Sequence, residues 1–264
     1  MVTATTRVRR GAARALAGAL LWAASWSVAQ SDATAPEDIL WLTEEYAPYN
    51  FTEDDGTPSG ITIDVLGALW DRLDADINVN DIRVVPWARG YRVAQEDPTA
   101  CLGATTITDS RRDQFSFIGP YVQARNAVIG PADQADHDFG DVGDLAGMEI
   151  GVVRNDIAEE LLQEASAPVR YVRLAEPETM LRMLDGGRFD AIAYNVLVVN
   201  WTMRDLGISV DDYAELLLLD EGGMGLACHQ DMNPELLQRM RSAMDEMRQD
   251  GTLEEIRARY MNGS

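Results

Sequence analysis

Lysine is missing from this 264-residue chain. All 22 basic side chains are arginine, set against 44 aspartates and glutamates for a formal charge of −22. A surface this acidic repels nucleic acid and anionic membranes, which argues against both as partners. It suits high salt, where carboxylates keep the surface hydrated and screening relieves their repulsion. Arginine in place of lysine also follows from a GC-rich genome. Histidine and cysteine are almost as scarce. His137 and His229 lie apart in polar surroundings, and with Cys101 and Cys228 they offer no metal-ligand spacing. Neither metal nor cofactor is therefore expected. The two cysteines sit in apolar, strand-like runs. An oxidising compartment would let them pair, but two buried, unpaired thiols are the plainer reading.

Long apolar runs are lacking too, and none reaches the length of a membrane span. The stretch Ala15 to Ser27 is apolar or small, follows Arg7, Arg9, Arg10 and Arg14, and ends in the small-x-small sequence Ser27-Val28-Ala29. That order is expected of an export signal at residues 1–29, cut near Ala29. About 235 residues then remain, enough for a core divided between two lobes. There is no internal repeat and no low-complexity linker.

What is present is an alternation of short apolar strands with amphipathic helices. Strands are expected at 39–43, 82–85, 101–105, 125–130, 148–153, 171–174, 189–193, 216–219 and 224–229. Helices are expected at 61–73, from Pro86-Trp87 onward, at 156–164, at 177–184 and in two closing segments. Such alternation predicts mostly parallel α/β sheets, with ligands gathering at the carboxyl ends of the strands. The most informative stretch is Thr106 to Tyr121, reading TITDSRRDQFSFIGPY. Thr108 is suited to cap a helix whose first turn carries Arg111, so free backbone N–H groups and a guanidinium fork converge on one point. Such a point fits a carboxylate. As plain surface chemistry, Arg111 and Arg112 would be solvated charges.

The segment resembles the signature of the family 3 bacterial extracellular solute-binding proteins, the periplasmic receptors of polar amino acid transporters. Thr106, Arg111, Phe117, Pro120 and Tyr121 fall in its register. EEYAPYNF (44–51), GTPSGITIDVLGALWDRL (56–73), GGRFDAIAYN (186–195) and QDGTLEEIRARYM (249–261) resemble further pieces in the same order. PWARGY (86–91) is associated with an uncharacterised branch. The resemblance implies a type II periplasmic binding fold. Residues 30–123 and 223–264 would form one lobe and 124–222 the other, with two crossover strands as the hinge. It also implies a monomer that closes on a small carboxylate-bearing molecule and docks on an ABC permease in the inner membrane.

The same resemblance assigns residues. Tyr46 and Trp87 would sandwich the ligand, Thr106 and Arg111 would hold its carboxylate, and Asn195 stands where receptors of this family usually place an acid for the ammonium. Asn155-Asp156 replaces the usual Gly-Thr pair, so Asp156 is either a helix cap or a displaced ammonium acceptor, with Arg154 as a further contact to an anion. Arg89 beside Trp87 would place a second cation with Arg111 and favour a ligand with two anionic groups. No nucleophile–base pair is visible, so the protein is read as a binder. A dehydratase-like enzyme with Glu44, Glu45 or Asp156 as its acid, or a ligand-sensing accessory module, are the alternatives on the same scaffold.

Overall fold

The computed structural model describes residues 1–3, 33–137 and 139–261, so the export signal expected at 1–29 lies almost wholly outside the described residues. The chain runs β1 (Leu40–Thr43), β2 (Phe51–Thr52), β3 (Pro58–Ser59), α1 (Ile61–Arg72), β4 (Arg83–Val84), α2 (Trp87–Glu96), β5 (Ala100–Thr106), α3 (Asp109–Arg112) and the long β6 (Phe115–Pro131). It continues with β7 (Glu149–Val153), α4 (Ile157–Glu164), β8 (Arg170–Leu174), α5 (Pro177–Asp185), β9 (Ala191–Asn195), α6 (Val196–Asp205), the long β10 (Tyr213–His229), α7 (Pro234–Gln249) and α8 (Thr252–Met261). Eight strands form one sheet in the order β4-β1-β5-β10-β6-β9-β7-β8. The outer strands on each side run parallel, while β10 is antiparallel to β5 and β6 is antiparallel to β9.

The two central strands carry the architecture. β6 and β10 pair antiparallel from Phe115↔His229 to Pro131↔Tyr213, so each strand belongs to both halves of the sheet. The expected lobe boundaries at 123/124 and 222/223 face each other on this ladder, where Gly223 pairs with Gln123 and Gly222 with Ala124. Two separate strands were expected at 216–219 and 224–229; the structure makes them one. Gly222 and Gly223 lie between those two stretches, and strand pairing holds the extended backbone through them. Arg125 on β6 ties the crossing together by an ion pair of 2.8 Å to Glu215 of β10.

Local chemistry explains the helices beside the site. α1 opens at Gly60, which has φ 115° and whose absent Cβ would lie 2.7 Å from the Tyr49 carbonyl, so only glycine lets the helix start against the 46–50 loop. Asp64 stands in its first turn and Arg72 in its last, as the helix dipole favours. The Tyr260 hydroxyl of α8 donates to Asp64 at 2.9 Å, seating the final helix on α1. α6 was not expected, because the run VLVVNW is rich in β-branched residues. The Asn195 side chain accepts from the Val198 N–H at 3.2 Å, and that cap, with Val198, Val199 and Met203 buried beneath, overrides the weak local propensity.

The cysteines correct the thiol reading: Cys101 and Cys228 face each other across β5 and β10 and form a disulfide. Sequence periodicity could bury both residues but could not show that their strands are neighbours.

Candidate functional site

Arg111 lies between α2 and α4 and is 1% exposed. The expected cap forms, with Thr108 accepting from the Arg111 N–H at 3.2 Å. The guanidinium is held on several sides. Its Nε donates to Glu160 of α4 at 3.0 Å, and its Nη1 donates to the Thr106 carbonyl at 3.5 Å. Its carbon stands 5.4 Å from the Trp87 ring centroid and 5.3 Å from that of Tyr91. Two aromatic faces and one carboxylate compensate part of the cost of burying this charge. Nη2 is buried without a partner, so the fork keeps one donor edge for an acceptor that the protein itself does not supply.

A second contact across the cleft stands beside this one. The Trp87 indole N–H donates to the Asn155 carbonyl at 2.6 Å. Asn155 has φ 60°, a left-handed conformation that Asn tolerates, between β7 and α4. Its N–H is fixed by Glu159 at 2.8 Å.

The opposite wall is aromatic. Tyr46 is buried, stacks on Tyr49 at 5.3 Å and meets Tyr194 edge-on at 5.6 Å. Other polar atoms here also lack partners: Thr43 Oγ1 at the end of β1, Asn195 Nδ2 at the end of β9, and both amide atoms of Asn126, which pairs with Asn195 in the ladder. Buried polar atoms without partners mark room for a polar guest.

The site is acidic as well. Glu44 is 8% exposed, and burial first, then the charge of Asp156, pushes its carboxyl well above the usual range, with Arg111 opposing. Asp156 caps α4 by accepting from the Ala158 N–H at 3.0 Å. Burial lifts its carboxyl to about 6, against the pull of that cap and of Arg111. Burial also raises the hydroxyls of Tyr46 and Tyr194 well above their ordinary range, and the charges of Glu44 and Asp156 add to it.

The structure thus brings Tyr46, Trp87, Thr106, Arg111, Asp156 and Asn195 into the buried region at the carboxyl ends of β1, β5 and β9. Arg89 and Arg154 are exposed instead. Arg89 lies two residues along α2 from Trp87, which turns it roughly to the far side of a helix whose buried face is Trp87, Gly90 and Ala94. The second cation expected beside Arg111 is therefore not in the buried site. Tyr91, Tyr194 and Glu160 join it without having been assigned to it, and so does Glu44, weighed until now only as the acid of an enzyme. The pair Glu44-Glu45 before Tyr46 was the one signal the sequence offered, and nothing local tells which of two adjacent acids points inward.

A family model for bacterial extracellular solute-binding proteins, family 3, matches residues 39–263. This chain belongs to that family. It is similar to the arginine-binding extracellular protein ArtP of Bacillus subtilis (strain 168), with 24% identity over 85% of this chain and 86% of the relative. It is also similar to the L-cystine-binding protein TcyJ of Escherichia coli (strain K12), with 23% identity over 84% and 81%. Among solved structures, a histidine kinase sensor domain similar to periplasmic binding proteins aligns with a TM-score of 0.73 at 20% identity, covering 84% of this chain and 95% of that one. An ancestral amino acid-binding protein, a precursor of cyclohexadienyl dehydratase, aligns with a TM-score of 0.69 at 20% identity, covering 85% and 95%. These neighbours share the type II periplasmic binding fold.

In this solute-binding protein the buried acids set a pH dependence. The folded Asp156 carboxyl is more basic than its ordinary 3.8. The folded state therefore binds more protons than the unfolded one between pH 3.8 and about 6, and stability falls as pH rises through that window. Glu44 acts in the same direction. The ligand-free protein is expected to melt higher at pH 5 than at pH 7.5, and Asp156→Asn, which keeps the cap, should flatten that dependence. Melting curves with the same slope in both proteins would contradict the assignment.

Proposed function

We propose that the chain is the periplasmic receptor of an ABC importer, a monomer whose lobes, 30–123 with 223–264 and 124–222, close on a small carboxylate-bearing solute. The observation that carries this reading is the Arg111 guanidinium, buried against two neighbouring rings with its Nη2 unpartnered. The solute's carboxylate takes that edge and Thr106 lines it. Trp87 and Tyr46 wall the ligand, and Asn195 offers its unpaired amide N–H. Closure is a population shift, because a ligand that touches both lobes stabilises the form in which they meet. The closed face then docks on a membrane permease. Membership in the solute-binding family, the relatives named for amino acids, the disulfide and the lack of any membrane-spanning helix among the described residues all support it.

A melting screen of the refolded, ligand-free mature protein in molar salt, against amino acids, dicarboxylates and other small organic acids, tests this. A ligand at a hundred times its dissociation constant adds about 2.7 kcal/mol, so one chemical class is expected to raise the melting point by several degrees. A well-folded protein that responds to none of them would count against a receptor.

One observation favours a second reading. Glu44 and Asp156 are buried acids whose proton affinities are raised towards the range useful for proton transfer. A dehydratase-like enzyme would use one of them as its acid or base. Proton NMR of a bound acid decides between the two: a ligand recovered unchanged supports the receptor, and product formation supports the enzyme.

A further inference from the structure

The receptor reading, on which this inference rests, uses Asn195 but not the residues beside it. Asn195 of β9 pairs with Asn126 of β6, and Asn126 pairs on its other side with Asp220 of β10. Directly opposed residues of a ladder share a face, with Cβ atoms about 5 Å apart. The three side chains therefore form one row across the two central strands and β9. Asn126 and Asn195 are fully buried, and Asp220 is half-buried with its Oδ2 shielded from solvent. Asn195 Nδ2, both amide atoms of Asn126 and Asp220 Oδ2 all lack partners. Donor and acceptor chemistry gives this row one direction. The Val198 N–H donates to Asn195 Oδ1 at 3.2 Å, which turns Nδ2 away from α6. A carboxylate offers only acceptors, so Asp220 draws the Asn126 Nδ2 towards itself and leaves Asn126 Oδ1 for Asn195. Each N–H then faces an oxygen, at a spacing that a small rotation or one bridging water closes. The Asn195 amide has two N–H bonds, and the row engages one of them.

We infer that Asp220 and Asn126 are positioning residues that hold Asn195 as a hydrogen-bond donor to the solute, so that the solute is a 2-hydroxy acid whose hydroxyl meets the second N–H. An ammonium has no lone pair and cannot accept from it. A hydroxyl accepts from Asn195 and still has a proton to give to one of the buried acids, Glu44 or Asp156. It can equally accept from either acid in protonated form, so the match holds whatever their ionisation. An ammonium in the same buried space would need a charged partner. The carboxylate of the same solute takes Arg111 Nη2, as in the receptor reading.

Calorimetric titration at pH 7.5 tests this with matched pairs that differ only at the second carbon: L-lactate and L-alanine, L-malate and L-aspartate, L-3-phenyllactate and L-phenylalanine. In each pair that binds, the hydroxy acid is expected to bind at least about tenfold more tightly, because a site built around a hydrogen bond rejects the analogue that cannot make it. Asp220→Asn, which lets the row point either way, should cut that ratio by about threefold or more. Asn195→Asp keeps an oxygen for the α6 cap and replaces the donor with an acceptor, so it should reverse the preference. A merely loosened structure would weaken both members of a pair alike, so the ratio separates positioning from packing. Melting near the parent temperature verifies the fold of each variant, and the two variants decide independently. An amino acid bound as well as its hydroxy partner by the unaltered protein, an unchanged ratio in a folded variant, or no binding by any pair overturns the inference. If the amino acids bind and Arg111→Ala removes that binding, the receptor reading stands while the hydroxy acid falls.

Discussion

Arg111→Ala is expected to abolish solute binding while both lobes remain folded. The loss follows from how the guanidinium is held. Its carbon lies over Trp87 and Tyr91, Glu160 takes Nε, and Nη2 is the edge left over. A carboxylate brought into the closed cleft without that edge would be desolvated beside Glu44 and Asp156 with nothing opposite it. Truncating one partner of a buried charged pair costs about 2–5 kcal/mol, so affinity should drop by about thirtyfold or more. The fold should survive. Glu160 keeps 28% of its side chain exposed and can rehydrate. Arg111→Lys should rescue little, because an ammonium has neither the flat face that packs on the rings nor the fork. Calorimetry with the solute found in the melting screen, alongside circular dichroism, would check this. Unchanged affinity in a folded Arg111→Ala protein would remove Arg111 from the site.

The second large effect concerns stability. Cys101 and Cys228 lie 127 residues apart in sequence, and joining them constrains about half of the unfolded chain. A closed loop of this size is worth about 5 kcal/mol in the chain-entropy account. In a domain of this length that corresponds to a melting point lower by roughly 10–20 °C. Replacing both cysteines with alanine should produce that drop and leave solute affinity nearly unchanged, because the bond ties β5 to β10 away from the carboxyl ends where the site lies. Both sulfurs are buried, so a reductant should act on the folded protein only as fast as it opens. A double variant that melts within 2 °C of the parent would show that the unfolded chain is compact enough to make the cross-link redundant.

The legibility of the chain followed the range of the interactions involved. Helix α3 and its Thr108 cap were readable because they depend on neighbours three residues apart, and the same holds for Asp64 and Arg72 at the ends of α1. The parallel α/β class was readable because a strand and the helix after it each show their own period. Where a distant strand or lobe supplied the decisive contact, reading failed. α6 was hidden by β-branched residues and exists because Asn195 caps it and a core takes its inner face. β10 was expected as separate stretches at 216–219 and 224–229 and is continuous because β6 pairs with it along its length.

The candidate site divides in the same way. By itself the sequence determined that a guanidinium stands on a capped helical turn after a strand, that aromatic residues lie in the loops near it, and that the family signature surrounds it. Residue type and short spacing are enough for that. Only the tertiary structure decided that Arg111 is buried while Arg89 faces solvent, that Glu160 and not a second cation stands beside Arg111, that Asn155 reaches Trp87, and that two cysteines join. Each of those outcomes depends on which elements become neighbours. Electrostatic fields and burial act through space, and a chain read in order carries no distance between residue 44 and residue 156.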